Sequence, residues 1–373
     1  MPEMTIRPGH PDFLDLPWDQ PLEDWDTPHL VDLPRGISRH VVRFVSYRHG
    51  IYAIKQLPEP AALRDYGALR TLEDRQAPAV TAVGYVTGRD PDRTAENAAA
   101  LITRYLDYAF SYRELLEGPG FGTNRARLLD AFASLLVELH VAGCFWGDCS
   151  LSNTLYRWDA DGIETHMVDA ETASIHDFIS DGRREEDLEI MTENVAGGMG
   201  DIAAERGVDL DDADLELGLD IAGRYRGLWS ELSAIWVVGG NEQYKIAERV
   251  ARINDLGFNV EDLTVASTDG KLALNVRVGG RSFHANRLKE LTGVEAGERQ
   301  ASTILDDLYY YTAKYATDTP STVAAIRWRV DAFEPVLERL RSIPGVVDPV
   351  QSYCDLLNHR YNLSVKALQD VGT

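Results

Sequence analysis

The chain lacks the features of membrane, secreted and disulfide-rich proteins. Nowhere in its 373 residues do 18 uncharged apolar residues follow one another, so we predict no transmembrane helix. The opening residues, MPEMTIRPGHPDF, contain no apolar signal-peptide core. The three cysteines, Cys144, Cys149 and Cys354, are an odd number and show no metal-site spacing. We therefore expect a reduced, cytoplasmic protein.

Lysine is also scarce, and acidic residues outnumber basic ones. Only six lysines occur, the other basic residues are arginines, and the formal net charge is −23. A hydrophobic content of 44% is typical of a globular chain. Because so acidic a surface repels phosphate backbones and anionic lipids, we expect neither nucleic-acid binding nor stable membrane association.

The length fits two domains preceded by an arm. Residues 1–29 are rich in Pro, Asp and Trp and lack periodicity, which predicts an extended N-terminal arm packed through Trp18 and Trp25. Residues 30–106 then carry the β-rich runs HVVRFVSY and GIYAIKQL, joined by a turn at residues 48–50. A helix over about 61–75 and the strands AVTAVGYV and ALITRYLDY complete a strand-rich lobe.

The rest of the chain divides at Gly239-Gly240. Residues 107–239 are predicted to be mainly helical, with a helix over 124–141, two short strands around a turn at Asp161-Gly162, and helices from 183 to 238. Residues 240–373 are predicted to form a smaller α+β domain. Its expected elements are a helix over 242–256, a strand pair around Asp269-Gly270, and helices near 296–317 and 320–342.

Four polar residues offer the groups that phosphoryl transfer requires. Asp148 lies five residues before Asn153 in the loop WGDCSLSN, Asp169 ends the apolar strand of MVDAE, and Lys55 lies in the strand YAIK. The reaction needs a carboxylate that orients or deprotonates the attacking hydroxyl. It also needs an Asn and an Asp that bind Mg²⁺, and a Lys that steadies the non-transferred phosphates. The pattern therefore predicts a magnesium–ATP phosphotransfer site.

This order resembles the protein-kinase-like superfamily, whose signature is a strand Lys, a D-x-x-x-x-N loop and a metal-binding Asp. Within it, the chain is most similar to lipopolysaccharide core (Kdo/heptose) kinases and aminoglycoside phosphotransferases. Those families have H-G-D-x-x-x-x-N and D-x-E where this chain has W-G-D-C-S-L-S-N and D-A-E. The stretch LLVELHVAG resembles their L-x-x-L-H-x-x-G, which implies a structural role for His140.

The resemblance implies an α+β, bilobal protein-kinase-like fold over about residues 30–238, with a β-rich N-lobe and a helical C-lobe. The whole chain also resembles an uncharacterised bacterial family in which such a region precedes a C-terminal domain of unknown function. No A-P-E motif follows Asp169, which argues against a conventional protein kinase.

The resemblance also implies a role for each matching position. Asp148 takes the place of the catalytic base, and Asn153 and Asp169 those of the metal ligands. Lys55 takes the place of the lysine on the α- and β-phosphates, paired with an acid on the following helix. The register favours Asp65 as that acid. Glu73, on the same helix face, is left as the alternative.

Further positions match the parts that surround the nucleotide. Asp187 resembles the buried carboxylate that supports the catalytic loop. The loop over the phosphates corresponds to PRGISR, which has one glycine where the families have several. The implied nucleotide contacts, from this loop and from the hinge strand TRYL, are Arg35, Gly36, Ser38, Thr103, Tyr105 and Leu106.

The sequence thus predicts an ATP- and Mg²⁺-dependent kinase acting on a hydroxyl of a small molecule or glycan precursor. The C-terminal domain is where a protein partner could bind. Two other functions stay open. A nucleotide-binding pseudokinase is favoured by the glycine-poor loop and by Asp65 in the usual Glu position, and an AMP-transferring enzyme would use the same pocket with the nucleotide reversed.

Overall fold

The computed structural model describes residues 2–33, 40–116, 118–239, 242, 244–268 and 271–370. The chain forms two compact units. The first comprises residues 1–156 and 165–229, and the second comprises residues 157–164 and 230–373. In the described part, no helix is both long and apolar enough to cross a membrane.

A six-stranded antiparallel sheet with one helix forms the N-terminal lobe of the first unit. Its strand order is β1-β5-β6-β4-β3-β2. The elements are β1 (Glu3–Ile6), β2 (Leu30–Val31), β3 (Val42–Tyr47), β4 (Gly50–Leu57), α1 (Glu59–Asp74), β5 (Ala82–Thr87) and β6 (Ala99–Arg104). The N-terminal arm thus supplies the edge strand β1, and β2, which directly follows the arm, forms the other edge.

The arm also covers one face of the sheet with aromatic side chains. Trp18 and Trp25 are buried and meet edge to face, with ring centroids 5.1 Å apart. They join a core that includes Phe13 of the arm and Ile54 of β4. Because β-strand side chains alternate between faces, Lys55 next to Ile54 points to the opposite side of the sheet.

The second lobe of this unit is mainly helical. Its long helix α2 buries Leu128, Phe132, Leu135 and Leu139 at helical spacing and is followed by Gly143 in the left-handed region, at φ 78°. The elements are α2 (Arg125–Val141), β7 (Cys144–Phe145), β8 (Thr154–Asp159), β9 (Gly162–Met167), β10 (Ser174–Ile175), α3 (Asp181–Arg206), α4 (Asp212–Leu215) and α5 (Leu217–Ser233).

The second unit combines a three-stranded sheet, of order β11-β13-β12, with helices around Trp328 and Phe333. A π-helical turn, Arg329–Phe333, joins its α9 and α10. The elements are β11 (Trp236–Gly239), α6 (Tyr244–Asp255), β12 (Phe258–Thr268), β13 (Lys271–Arg281), α7 (Phe283–Thr292), α8 (Glu298–Tyr315), α9 (Ser321–Trp328), α10 (Glu334–Arg341) and α11 (Pro349–Ala367).

The division between the units differs from the one expected at residues 239 and 240. Helix α5 runs without a break past residue 229, and β11 pairs with β13 instead of continuing the helices expected up to residue 238. The strand pairing therefore assigns residues 236–239 to the sheet of the second unit. The expected turn at Asp269-Gly270 lies outside the described residues.

The tip of the β8–β9 hairpin, residues 157–164, groups with the second unit for a clear reason. Asp159 is buried and caps α8, because its carboxylate accepts the backbone N–H groups of Arg299 at 3.0 Å and Gln300 at 2.8 Å. The Gln351 side chain accepts from the Ala160 N–H at 2.9 Å and donates to the Ala160 carbonyl at 2.8 Å. Backbone and side-chain groups of α8 and α11 thus complete the hydrogen bonds of the tip.

Candidate active site

Lys55 lies in β4 between β3 and β6, where it pairs with Val42 on one side and Leu101 on the other. Its side chain is only 12% exposed, and its Nζ atom is 2.8 Å from an Asp169 oxygen. Two more carboxylates surround the same nitrogen, that of Asp65 at 3.4 Å and that of Glu171 at 3.6 Å. Burial by itself lowers the pKa of Lys55, but these carboxylates raise it above its ordinary value, so the side chain is an ammonium.

Asp65, and not Glu73, is the acid of α1 that contacts Lys55. Asp65 is fully buried and accepts the Ala170 N–H at 3.2 Å. Glu73 instead accepts two hydrogen bonds from Arg7, at 2.7 and 3.0 Å. Burial raises the pKa of Asp65 to about 7 even though the nearby Lys55 ammonium opposes that rise. The choice left open between the two acids is therefore resolved by geometry.

The loop between β7 and β8 brings Asp148 and Asn153 into direct contact. The Asn153 amide donates to the Asp148 carboxylate at 2.9 Å and to the Asp148 carbonyl at 3.2 Å. Ser150 begins the short 3-10 turn that carries Asn153, since its hydroxyl accepts the Asn153 N–H at 3.3 Å. Because the side-chain N–H₂ group of Asn153 donates to Asp148, the side-chain oxygen is the atom of Asn153 that could bind a cation.

Asp169 lies beside this loop. The N–H of the preceding residue, Val168, donates to the Asn153 carbonyl at 3.1 Å. The indole of Trp146 donates to the Asp169 carbonyl at 2.9 Å, and the Glu171 N–H donates to the Asp169 carboxylate at 3.1 Å. The backbone of Val168 thus links two contacting pairs, Lys55 with Asp169 and Asn153 with Asp148.

Asp187 supports the start of the loop from α3. Its carboxylate is fully buried and accepts the Trp146 N–H at 2.7 Å and the Gly147 N–H at 2.8 Å. His140 lies 3.1 Å from Asp187 through Nε2 and 2.7 Å from the Tyr225 hydroxyl through Nδ1. Burial lowers the pKa of His140, so the neutral ring donates to Asp187 and accepts from Tyr225. Both residues have structural contacts of the kind expected.

The sequence did not single out three further residues at this site. Asn194 of α3 donates to the Asp148 carboxylate at 3.1 Å. Glu171 contacts Lys55 and also lies 3.0 Å from His40. Glu171 stands in the D-A-E motif and carried a signal for that reason, whereas no pattern marked Asn194 or His40.

Of the positions expected to contact the nucleotide, those in the strand TRYL are described and those in the loop PRGISR are not. Within the hinge strand, the Arg104 N–H donates to the Thr81 carbonyl and the Tyr105 N–H to the Ile51 carbonyl, both at 2.9 Å, while the Leu106 carbonyl accepts from Ala109 at 3.2 Å. Thr103 of β6 pairs with Ala53 of β4 and with Ala82 of β5. These backbone groups therefore form hydrogen bonds or strand pairs within the protein itself. The positions Arg35, Gly36 and Ser38 lie outside the described residues.

The donor set suits magnesium shared with a phosphorylated substrate. No group of three or more His, Cys, Asp or Glu side chains that could hold a metal occurs among the residues described. Mg²⁺ does not need such a cage, because it commonly binds one or two protein oxygens together with substrate phosphates and water. Asn153 and Asp169, next to each other through the Val168 bond and with the Asp169 side chain 26% exposed, fit that mode.

Comparison with known proteins gives two family matches. Residues 45–210 match the lipopolysaccharide kinase (Kdo/WaaP) family, and residues 227–373 match a domain of unknown function, DUF4032. The predicted resemblance is confirmed, and with it the α+β, bilobal kinase-like fold followed by a smaller α+β domain. The first match supports a kinase-like phosphotransferase. No curated protein is significantly similar to the chain.

Two solved structures are similar to the chain. One is WaaP in complex with acyl carrier protein, with 19% identity and a TM-score of 0.34, over 60% of this chain and 87% of that one. The other is the Rio2 kinase–ADP/Mg²⁺–phosphoaspartate complex from Chaetomium thermophilum. It has 14% identity and a TM-score of 0.34, over 54% of this chain and 70% of that one.

Proposed function

We propose that this protein transfers the γ-phosphate of ATP to an alcohol. The premise is the match of residues 45–210 to the lipopolysaccharide kinase (Kdo/WaaP) family. One observation carries the proposal. Lys55 contacts Asp169, Asn153 contacts Asp148, and a backbone hydrogen bond from Val168, the neighbour of Asp169, to Asn153 links the two pairs. These contacts join the four kinds of group that phosphoryl transfer requires.

Each side chain then has one task. Lys55 binds the non-transferred phosphates, and Asp65 and Glu171 keep it an ammonium. Asn153 and Asp169 hold Mg²⁺, which when bound neutralises phosphate charge. The Asp148 carboxylate orients the acceptor hydroxyl and takes its proton as the new O–P bond forms. The bond from the γ-phosphorus to the β–γ bridging oxygen breaks, and ADP leaves. Adenine is recognised by the Tyr105 carbonyl or the Leu106 N–H.

The acceptor is a hydroxyl of a small molecule or glycan precursor. The net charge of −23 disfavours strongly anionic acceptors, which the field of the protein would repel. We would test the function by label transfer from γ-labelled ATP to sugars, amino alcohols and proteins, with intact-mass analysis of the products. Addition of a phosphate group is expected. Addition of AMP, or magnesium–ATP binding with no transfer to any acceptor, would contradict the proposal.

Metal dependence gives a first prediction. ATP should raise the melting temperature only slightly without divalent cation and clearly more with Mg²⁺, because binding to the native state stabilises it. Asp169→Ala should weaken magnesium–ATP binding by at least about 10-fold, since loss of a direct ligand costs at least as much as loss of a supporting group. Asp177→Ala, at a fully exposed position, is the control. Unchanged magnesium–ATP affinity in Asp169→Ala would refute the metal assignment.

The Lys55–Asp65 contact gives a second prediction. Lys55→Met and Asp65→Ala should lower phosphotransfer to similar extents, and the double variant should lose little more, because both changes break the same Lys55–Asp65 contact. Glu73→Ala is the control, since Glu73 contacts Arg7 instead. The measurement is the phosphotransfer rate of the parent and the four variants at saturating ATP. Losses that add in the double variant would show that the two residues act independently.

A further inference from the structure

One face of α3 holds the catalytic loop at two successive points. Asp187 accepts the N–H groups of Trp146 and Gly147. Asn194 follows seven residues later, which is about two helical turns and so the same face of the helix. Its amide donates to the Asp148 carboxylate at 3.1 Å and to the Cys149 carbonyl at 3.2 Å.

We infer that Asn194 is a positioning residue that fixes the orientation of the Asp148 carboxylate for the acceptor hydroxyl. The inference rests on the proposed function. The two Asp148 oxygens are held by two different amides, Oδ2 by Asn153 at 2.9 Å and Oδ1 by Asn194 at 3.1 Å. Two hydrogen bonds on opposite oxygens restrict rotation of the carboxylate plane more than a bond to one oxygen does.

The chemistry of residue 194 fits this task. A carboxylate and a carbonyl both face it, so the position requires a donor, and a neutral one leaves the charge of Asp148 unchanged. Asparagine meets both requirements. An aspartate there would set two carboxylates within hydrogen-bond distance and oppose the ionised form of each.

The first experiment compares Asn194→Ala with the parent. We expect kcat to fall by roughly 10-fold, the loss that one hydrogen bond to a charged group commonly produces, while KM for magnesium–ATP stays unchanged. A purely structural role would instead change both constants together with the melting temperature. Glu193→Ala, at an exposed neighbouring residue of the same helix, is the matched control. An unchanged kcat in Asn194→Ala would overturn the inference.

A second experiment needs no activity, so failure of the proposed function can be distinguished from failure of this inference. Asn194→Asp should lower the melting temperature because it places a second carboxylate within hydrogen-bond distance of the Asp148 carboxylate. Adding Asp148→Asn to it should restore most of the loss, since the exchanged pair is again one donor and one acceptor. Phosphotransfer should stay lost in the exchanged pair because position 148 no longer carries a base. If Asn194→Asp is as stable as the parent, or the exchange restores nothing, the contact does not exist in solution.

Discussion

We expect the Asp148→Asn protein to bind magnesium–ATP as tightly as the parent and to transfer phosphate at least ~10²-fold more slowly. The side chain volume is kept, but the new amide accepts no proton and carries no orienting charge. In the proposed mechanism, Asp148 acts on the acceptor hydroxyl and the nucleotide is held by other residues, so the nucleotide affinity should be kept. Calorimetry for affinity and label transfer from γ-labelled ATP measure the two effects separately.

The geometry also specifies the control for this experiment. An amide at position 148 would turn one N–H₂ group toward Asn153 or Asn194, each of which is already a donor. One of the two hydrogen bonds is then lost, so the melting temperature must be measured alongside activity. Equal transfer by parent and variant would refute Asp148 as the base. A parent that binds magnesium–ATP and never transfers phosphate would favour the pseudokinase interpretation.

The second large effect concerns stability. We expect Asp187→Ala to lower the free energy of unfolding by about 3–5 kcal/mol, because three donors lose their shared acceptor and each buried donor left without a partner costs about 1–3 kcal/mol. The substitution leaves the Trp146 N–H, the Gly147 N–H and the His140 ring without their acceptor in a buried place. Urea unfolding of the parent and the variant gives the difference directly.

A neighbouring acid provides the comparison for Asp187. Glu186→Gln lies on the exposed side of α3 and should change the free energy of unfolding by less than about 0.5 kcal/mol. Asp187→Asn keeps one acceptor oxygen and should fall between the two. A loss below about 1 kcal/mol in Asp187→Ala would mean that water or another group replaces the carboxylate.

Much of the site could be predicted because its parts are tied to short stretches of chain. Asp148 and Asn153 are five residues apart, and Asp169 follows at the end of the next hairpin, so the local fold alone brings them near each other. Lys55 by itself carried no signal, and it became a candidate only through its order with Asp148, Asn153 and Asp169 on the expected strand.

The missing parts of the site depend on long-range packing. Asn194 is 46 residues from Asp148, and only the docking of α3 against the loop decides that it faces the carboxylate. The pairing of Tyr105 with Ile51 depends in the same way on the register of β4 and β6. Likewise, residues 3–6 join the sheet at β5, a partner some eighty positions later that no local pattern indicates.

The hairpin tip restricts how the chain can be divided. The first family match ends at residue 210 and the second begins at residue 227, which suggests that the chain could be divided between them. Yet a fragment that stops at residue 229 would keep Asp159 and lose the Arg299 and Gln300 amides that bind its carboxylate. It would also lose Gln351, which pairs with Ala160. Exchange of the C-terminal segment between homologues would therefore have to keep these hairpin contacts. A protein engineer who moves the kinase-like region into another protein would therefore have to include both the hairpin tip and the residues that bind it.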